Sequence, residues 1–170
     1  SGNPGLTSIE LPALVSANQL DITLNPILAT LEMPALASVG AHASITGNAS
    51  LTAVRLPALA NADVLIVRDN PRLAMLDLRA LPKIRYTLLI GNITPGEPSS
   101  LTELSLPSLS WVGMTLSIEN NLRLARLHLP QLSAGGNVQI RRNPSLPLCA
   151  LVAIRDRLRL AGYDFDARPK

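Results

Sequence analysis

Apolar residues recur along this chain in a repeated phrase. Each copy reads approximately N-x-x-L-x-x-L-x-L-P-x-L, followed by a short turn and L-x-I-x-x-N. Two clear copies are Asn48-Ala-Ser-Leu-Thr-Ala-Val-Arg-Leu-Pro-Ala-Leu59 and Asn121-Leu-Arg-Leu-Ala-Arg-Leu-His-Leu-Pro-Gln-Leu132. The Asn that heads each copy falls at Asn3, Asn25, Asn48, Asn70, Asn92, Asn121 and Asn143, at intervals of 22, 23, 22, 22, 29 and 22 residues. The long interval holds the tract Ile93–Ser100. With Pro98 standing in the Asn position, Leu101, Leu104, Leu106 and Pro107 regain their places, so the tract reads as an insertion near 93–98. Self-similarity at this period is the mark of a solenoid.

Two stretches within each copy alternate with period two, as strands with one buried face do. The first carries Ile9/Leu11, Leu31/Met33, Val54/Leu56, Leu76/Leu78, Leu104/Leu106 and Leu127/Leu129. The second carries Leu20/Ile22, Ala43/Ile45, Leu65/Val67, Thr87/Leu89, Leu116/Ile118 and Val138/Ile140. A repeat of 22–23 residues is too short for two strands and a helix of ordinary length. The expected fold is therefore an all-β solenoid, a right-handed β-helix of leucine-rich coils whose strands stack in parallel around a narrow core. It spans residues 3–147. The seven Asn residues are expected to turn inward at a corner, bond backbone groups and stack as a ladder. Pro12, Pro34, Pro57, Pro107 and Pro130 end the first strand; in the fourth copy Arg79 holds that slot. Residues 148–170 change character. Leu148, Leu151, Val152, Ile154 and Leu158 follow a helical period, with Gly162 as a stop, which predicts a helix capping the open end of the solenoid.

The run Leu20-Asp-Ile-Thr-Leu-Asn-Pro-Ile-Leu-Ala-Thr-Leu-Glu-Met-Pro-Ala-Leu36 resembles the repeats of the receptor L domain family, leucine-rich-repeat-like β-helices, and the resemblance extends over residues 3–147. Such repeats occur in ligand-binding lobes of growth-factor receptors, in fungal cell-wall proteins and in secreted bacterial proteins. The receptor lobes usually carry disulfides and more aromatics, whereas this chain has one Cys. The resemblance thus implies a bacterial secreted or cell-surface version, located outside the cell, at its surface or in the periplasm. Ordinary leucine-rich repeats, the nearest alternative, usually place one strand in each repeat, and the two alternating stretches argue against them.

Composition narrows the chemistry. Hydrophobic residues make up 47% of the chain, yet its aromatics are only Trp111, Tyr86, Tyr163 and Phe165, too few for a ring-lined cofactor pocket. The net charge of +3 comes without a basic tract interleaved with rings, which argues against nucleic acid as a partner. No apolar run is long enough to cross a membrane. Ser1-Gly2 reads as a protease scar, so a missing leader bears on no compartment. Cys149 lies between Leu148 and Ala150, where it is expected to be a buried small hydrophobe or the survivor of a pair. His42 and His128 fall in different columns. Glu10 and Glu32 stand one coil apart with no third ligand. No metal site, cofactor or catalytic residue is expected.

Outward positions of the second strand are polar in the first two and last two coils. In the middle two the same register turns Val64, Ile66, Tyr86, Leu88 and Ile90 outward, with Arg68 beside them and Trp111 further round the coil. An exposed apolar patch of this kind marks a contact surface, unless the insertion folds over it. The expected function is a non-catalytic extracytoplasmic protein-binding or adhesion module whose partner is a protein or neighbouring domain, with a glycan less favoured. One alternative is a structural spacer of the cell envelope without its own ligand. A carbohydrate-active β-helix enzyme would need clustered carboxylates or a nucleophile–base pair, and the columns offer neither.

Overall fold

The computed structural model describes residues 1–93 and 99–158. The chain winds as a right-handed parallel β-solenoid of about six coils closed at one end by a helix. Every coil contributes one short and one long strand, numbered here in chain order. The short strands are β1 (Ser8–Glu10), β3 (Thr30–Glu32), β5 (Ala53–Arg55), β7 (Met75–Asp77), β9 (Glu103–Ser105) and β11 (Arg126–His128). The long ones are β2 (Ser16–Thr23), β4 (Ser38–Thr46), β6 (Asn61–Arg68), β8 (Lys83–Gly91), β10 (Trp111–Glu119) and β12 (Ala134–Arg141). The long strands form one six-stranded sheet in coil order, while the short ones form a sheet of four, β1 to β7, and a separate pair, β9 and β11. The short sheet divides where the chain carries the insertion between Asn92 and Ser99. Inward Leu, Ile and Val from every coil join one continuous core.

Among the described residues, two β-turns recur at the corners of the coils, and beyond the first coil both close on a buried Leu. Leu51 N–H donates to Asn48 O at 3.1 Å, and Leu59 N–H donates to Leu56 O at 3.1 Å. The second turn explains the Leu-Pro phrase, because Pro57 occupies the position whose φ its ring already fixes. In the fourth coil Arg79 takes the place of Pro. Its guanidinium pairs with Asp77, with Nη2 2.6 Å from Oδ2, which holds the Asp77 carboxyl below the usual carboxylate range.

The Asn ladder forms with one interruption. Asn25 N–H donates to Asn48 Oδ1 (3.1 Å), Asn48 N–H to Asn70 Oδ1 (3.0 Å), and Asn121 N–H to Asn143 Oδ1 (3.0 Å). Asn3 N–H donates likewise to Asn25 Oδ1 at 3.0 Å, although Asn3 itself is exposed. Each buried amide also reaches a strand carbonyl: Asn48 Nδ2 donates to Ile22 O (2.9 Å) and Asn70 Nδ2 to Ile45 O (2.8 Å). Asn92 departs from the expectation. It stands level with Asp69 and Asn120, one position before the ladder, and its N–H donates to Glu119 O at 3.1 Å. There it pairs with Asn120, whose Nδ2 donates to Asn92 O at 2.7 Å. Pro98, expected in the ladder position of the next coil, lies outside the described residues.

The displacement of Asn92 has its origin in a bulge. Between matched pairs of the long sheet, β6 spends one residue (Asp63) where β8 spends two (Arg85 and Tyr86). From that point the pleat of β8 is shifted by one residue relative to a plain repeat of 22. Leu88 therefore pairs with Leu65 and Leu116, and Ile90 with Val67 and Ile118. This corrects the expected facing of the fourth coil: Leu88 and Ile90 are core residues, 0% and 1% exposed, and Thr87 and Leu89 turn outward. A one-residue slip exchanges the two faces of a strand.

Among the described residues, the corner residue before each ladder position is left-handed: Gly2 (φ 68°), Leu24 (56°), Gly47 (68°), Asp69 (55°), Asn120 (57°) and Arg142 (53°). Leu24 bears this conformation least well, being a branched side chain that is largely exposed. Leu24→Asn is expected to raise stability by about 0.5–1 kcal/mol, since Asn tolerates the left-handed region, and a urea midpoint measures it.

The helix α1 (Leu148–Leu158) covers the last coil. Leu151, Ile154 and Leu158 enter the core, and the Arg157 guanidinium donates to the Leu129 and Pro130 carbonyls. Cys149 is exposed, contrary to expectation. The spacing that sends Leu151, Ile154 and Leu158 inward leaves position 149 on the outer side of the first turn.

Candidate functional site

The outer face of the long sheet carries the candidate site. Across β2 and β4 it is polar, with Gln19 beside His42 and Asp21 beside Ser44. At β6 and β8 the same columns become largely apolar: Val64 stands beside Thr87, and Ile66 beside Leu89. At β10 and β12 they are polar again, through Thr115, Asn137 and Gln139, with Ser117 in the same columns but buried. The island is bounded on both sides along the solenoid axis.

The bulge enlarges this island toward the start of the strands. It pushes Tyr86 outward on β8, and a matching bulge on β10 does the same for Met114; these side chains are 42% and 59% exposed. Trp111, 40% exposed, opens β10 beside Lys83. Of the residues expected at a docking patch, the fold thus brings Val64, Ile66, Tyr86 and Trp111 to one face. Arg68 lies half-buried at the far end of β6, between Thr46 and Gly91. Leu88 and Ile90 are not on that face. Leu89 and Met114 belong to it and were missed, because neither bulge leaves a signal in the spacing of the Asn residues. Whether the insertion covers the island concerns residues 94–98, outside the described residues; Ile93 before them is exposed and Ser99 after them is buried.

Beside the island, where the long strands begin, lies a concavity of about 250 Å3 lined by Asn61, Ala62, Asp63, Lys83, Arg85 and Trp111. Three successive coils build it. Arg85 Nη1 stands 3.6 Å from Asp63 Oδ2, a loose pair in which the Arg85 side chain is 66% exposed. Lys83 is exposed and makes no ion pair with a described residue. The Trp111 ring lies over Gly113: a Cβ at that position would meet ring atom Cη2 at 2.8 Å and the Arg85 carbonyl oxygen at 1.9 Å. Glycine is required there both by the close approach of β8 and by the indole.

Elsewhere on the outer surface the short sheet carries isolated ion pairs. Arg55 pairs with Glu32, and Arg126 Nη2 with Glu103 Oε2 at 2.6 Å. Exposed pairs of this kind contribute about 1 kcal/mol or less. Among the described residues no three His, Cys, Asp or Glu side chains converge as a metal site would require, and no helix is long and apolar enough to cross a membrane. No protein-family model, curated protein or solved structure matches the chain.

Proposed function

We propose that this solenoid is a non-catalytic binding module that docks a protein partner, or a neighbouring domain, on the outer face of its long sheet. The observation that carries the proposal is the apolar island of Val64, Ile66, Tyr86, Leu89 and Met114, set among polar columns of the long sheet. Tyr86 and Met114 are exposed and Val64, Ile66 and Leu89 half-buried, and apolar surface gathered on one face in this way is retained where it meets another surface. Tyr86 and Met114 suit a contact that excludes water, since one offers a broad ring with a polar tip and the other a deformable apolar chain. The resemblance of the repeats to receptor L domains supports the same reading and adds an extracytoplasmic location, in a secreted or cell-surface protein.

A photoreactive phenylalanine analogue placed at position 86 in the producing cell tests this directly, with position 42 on the polar part of the same sheet as control. The expected result is a discrete crosslinked adduct from position 86, abolished by Met114→Asp, and none from position 42. Equal labelling from both positions, or none from either, would favour a spacer without its own ligand.

A further inference from the structure

The concavity at the start of the long strands differs in chemistry from the apolar island beside it. It presents one flat ring, two cations, one carboxylate and one amide around a small floor at Ala62. We propose that it is a subsite for one carboxylated sugar residue of an acidic polysaccharide. The proposal shares the non-catalytic binding role proposed above, but its own observations are those of the concavity.

Its geometry favours a sugar in several respects. The absence of a side chain at Gly113 makes room for the Trp111 indole, which is 40% exposed and lines the concavity, where it offers a ring for the C–H face of a pyranose. Lys83 and Arg85 come from the same strand and border the same space, Lys83 directly beside Trp111 in register. Lys83 lacks a carboxylate partner among the described residues, and Arg85 holds Asp63 only loosely, so both cations are available to a ligand carboxylate. Asn61 and Asp63 supply an amide and an acceptor for hydroxyl groups. About 250 Å3 accommodates one sugar ring rather than a folded peptide segment. A neutral sugar would use the ring and the hydroxyl partners but leave Lys83 without a counter-charge and Arg85 with only its loose Asp63 pair.

Trp111 is the sole tryptophan of the chain, so its fluorescence reports this site alone. The experiment titrates the full chain with a trimer of galacturonic acid, a neutral galactose trimer and a glutamate-rich peptide. The expected result is a saturable change in Trp111 emission with the acidic trimer, weakened by added salt and little change with the neutral one. Lys83→Ala with Arg85→Ala should weaken the response about tenfold or more. Should the double variant lose its circular-dichroism spectrum, Lys83→Glu alone, at an exposed position, serves the same purpose. Three results would each overturn the proposal: no saturable change with the acidic trimer, an equal response to the neutral trimer, or a Lys83→Glu variant that binds as before. A tighter response to the peptide would also overturn it and assign the concavity to the protein-docking face. Because the readout is Trp111 and not position 86, failure here leaves the crosslinking result, and the function it tests, untouched.

Discussion

Leu88→Asp is expected to unfold the middle of the solenoid, whereas Leu89→Asp, one residue along, should leave it folded. Leu88 is fully enclosed, paired between Leu65 and Leu116 in the long sheet. Substitution removes about 2–3 kcal/mol of buried leucine surface and forces a carboxylate into a core with no polar partner. The combined loss should reach about 4 kcal/mol or more, a large part of the stability of a domain this size. Leu89 faces outward beside Ile66 and is only half-buried, so Asp there should cost about 1 kcal/mol. Urea unfolding followed by circular dichroism measures both. The opposite order of effects would mean that β8 runs in the plain 22-residue register and that the island contains Leu88 and Ile90 after all.

Asn48→Ala is the second substitution with a large expected effect. Asn48 is fully buried. Its Oδ1 accepts from the Asn25 backbone N–H at 3.1 Å and from Asn25 Nδ2 at 3.0 Å, and its Nδ2 donates to Ile22 O at 2.9 Å and Asn70 Oδ1 at 3.2 Å. Alanine strands the buried Asn25 backbone N–H and takes one hydrogen bond each from Asn25 Nδ2, Ile22 O and Asn70 Oδ1; Asn25 Nδ2 keeps Thr23 O, and Asn70 Oδ1 keeps the backbone N–H of residue 48. At about 1–3 kcal/mol for the stranded N–H and about 0.5–1.5 kcal/mol for each further hydrogen bond lost, the net cost should be about 3–5 kcal/mol. Asn48→Leu is expected to do no better, since it restores volume but no hydrogen bond. In a solenoid each coil leans mainly on its neighbours, so the loss should fall first on the coils around residues 25–70. Hydrogen exchange resolved by residue would show early opening there, with α1 still protected. Uniform opening of the whole chain would indicate cooperativity beyond nearest neighbours.

These two positions show how unevenly the molecule is written in its sequence. Asn48 announces its role, because the ladder position recurs and a buried amide at a coil corner has one physical use. Leu88 does not. The run Thr87-Leu88-Leu89-Ile90 has apolar residues on both faces of the strand, so alternation cannot choose between them. The spacing of 22 between Asn70 and Asn92 suggests an ordinary repeat, yet Asn92 stands one position short of the ladder and compensates for the extra residue in the bulge. Asn120-Asn121 is ambiguous in the same way. Only the hydrogen bonds distinguish the ladder member, Asn121, from the partner of Asn92.

The candidate sites follow the same division. Val64, Ile66 and Tyr86 were legible as outward apolar residues, and Trp111 as a residue further round the coil. Leu89 and Met114 were not, since both owe their exposure to bulges. The concavity depends on Asn61, Lys83 and Trp111 lying abreast in three adjacent coils. Those residues are 22 and 28 positions apart along the chain.

By itself, the sequence determined the architecture: two strands in each coil, corners at Asn and Leu-Pro, parallel stacking, and a helix closing the last coil. Those features repeat, and each repetition answers a local need for a φ angle, a buried face or a partner for a backbone group. The tertiary structure alone decided which face of β8 is buried and what stands next to what on the outer surface. A single extra residue exchanges the faces of a strand without changing its composition. Only pairing with β6 and β10, which must keep leucine against leucine in a narrow core, selects between the two.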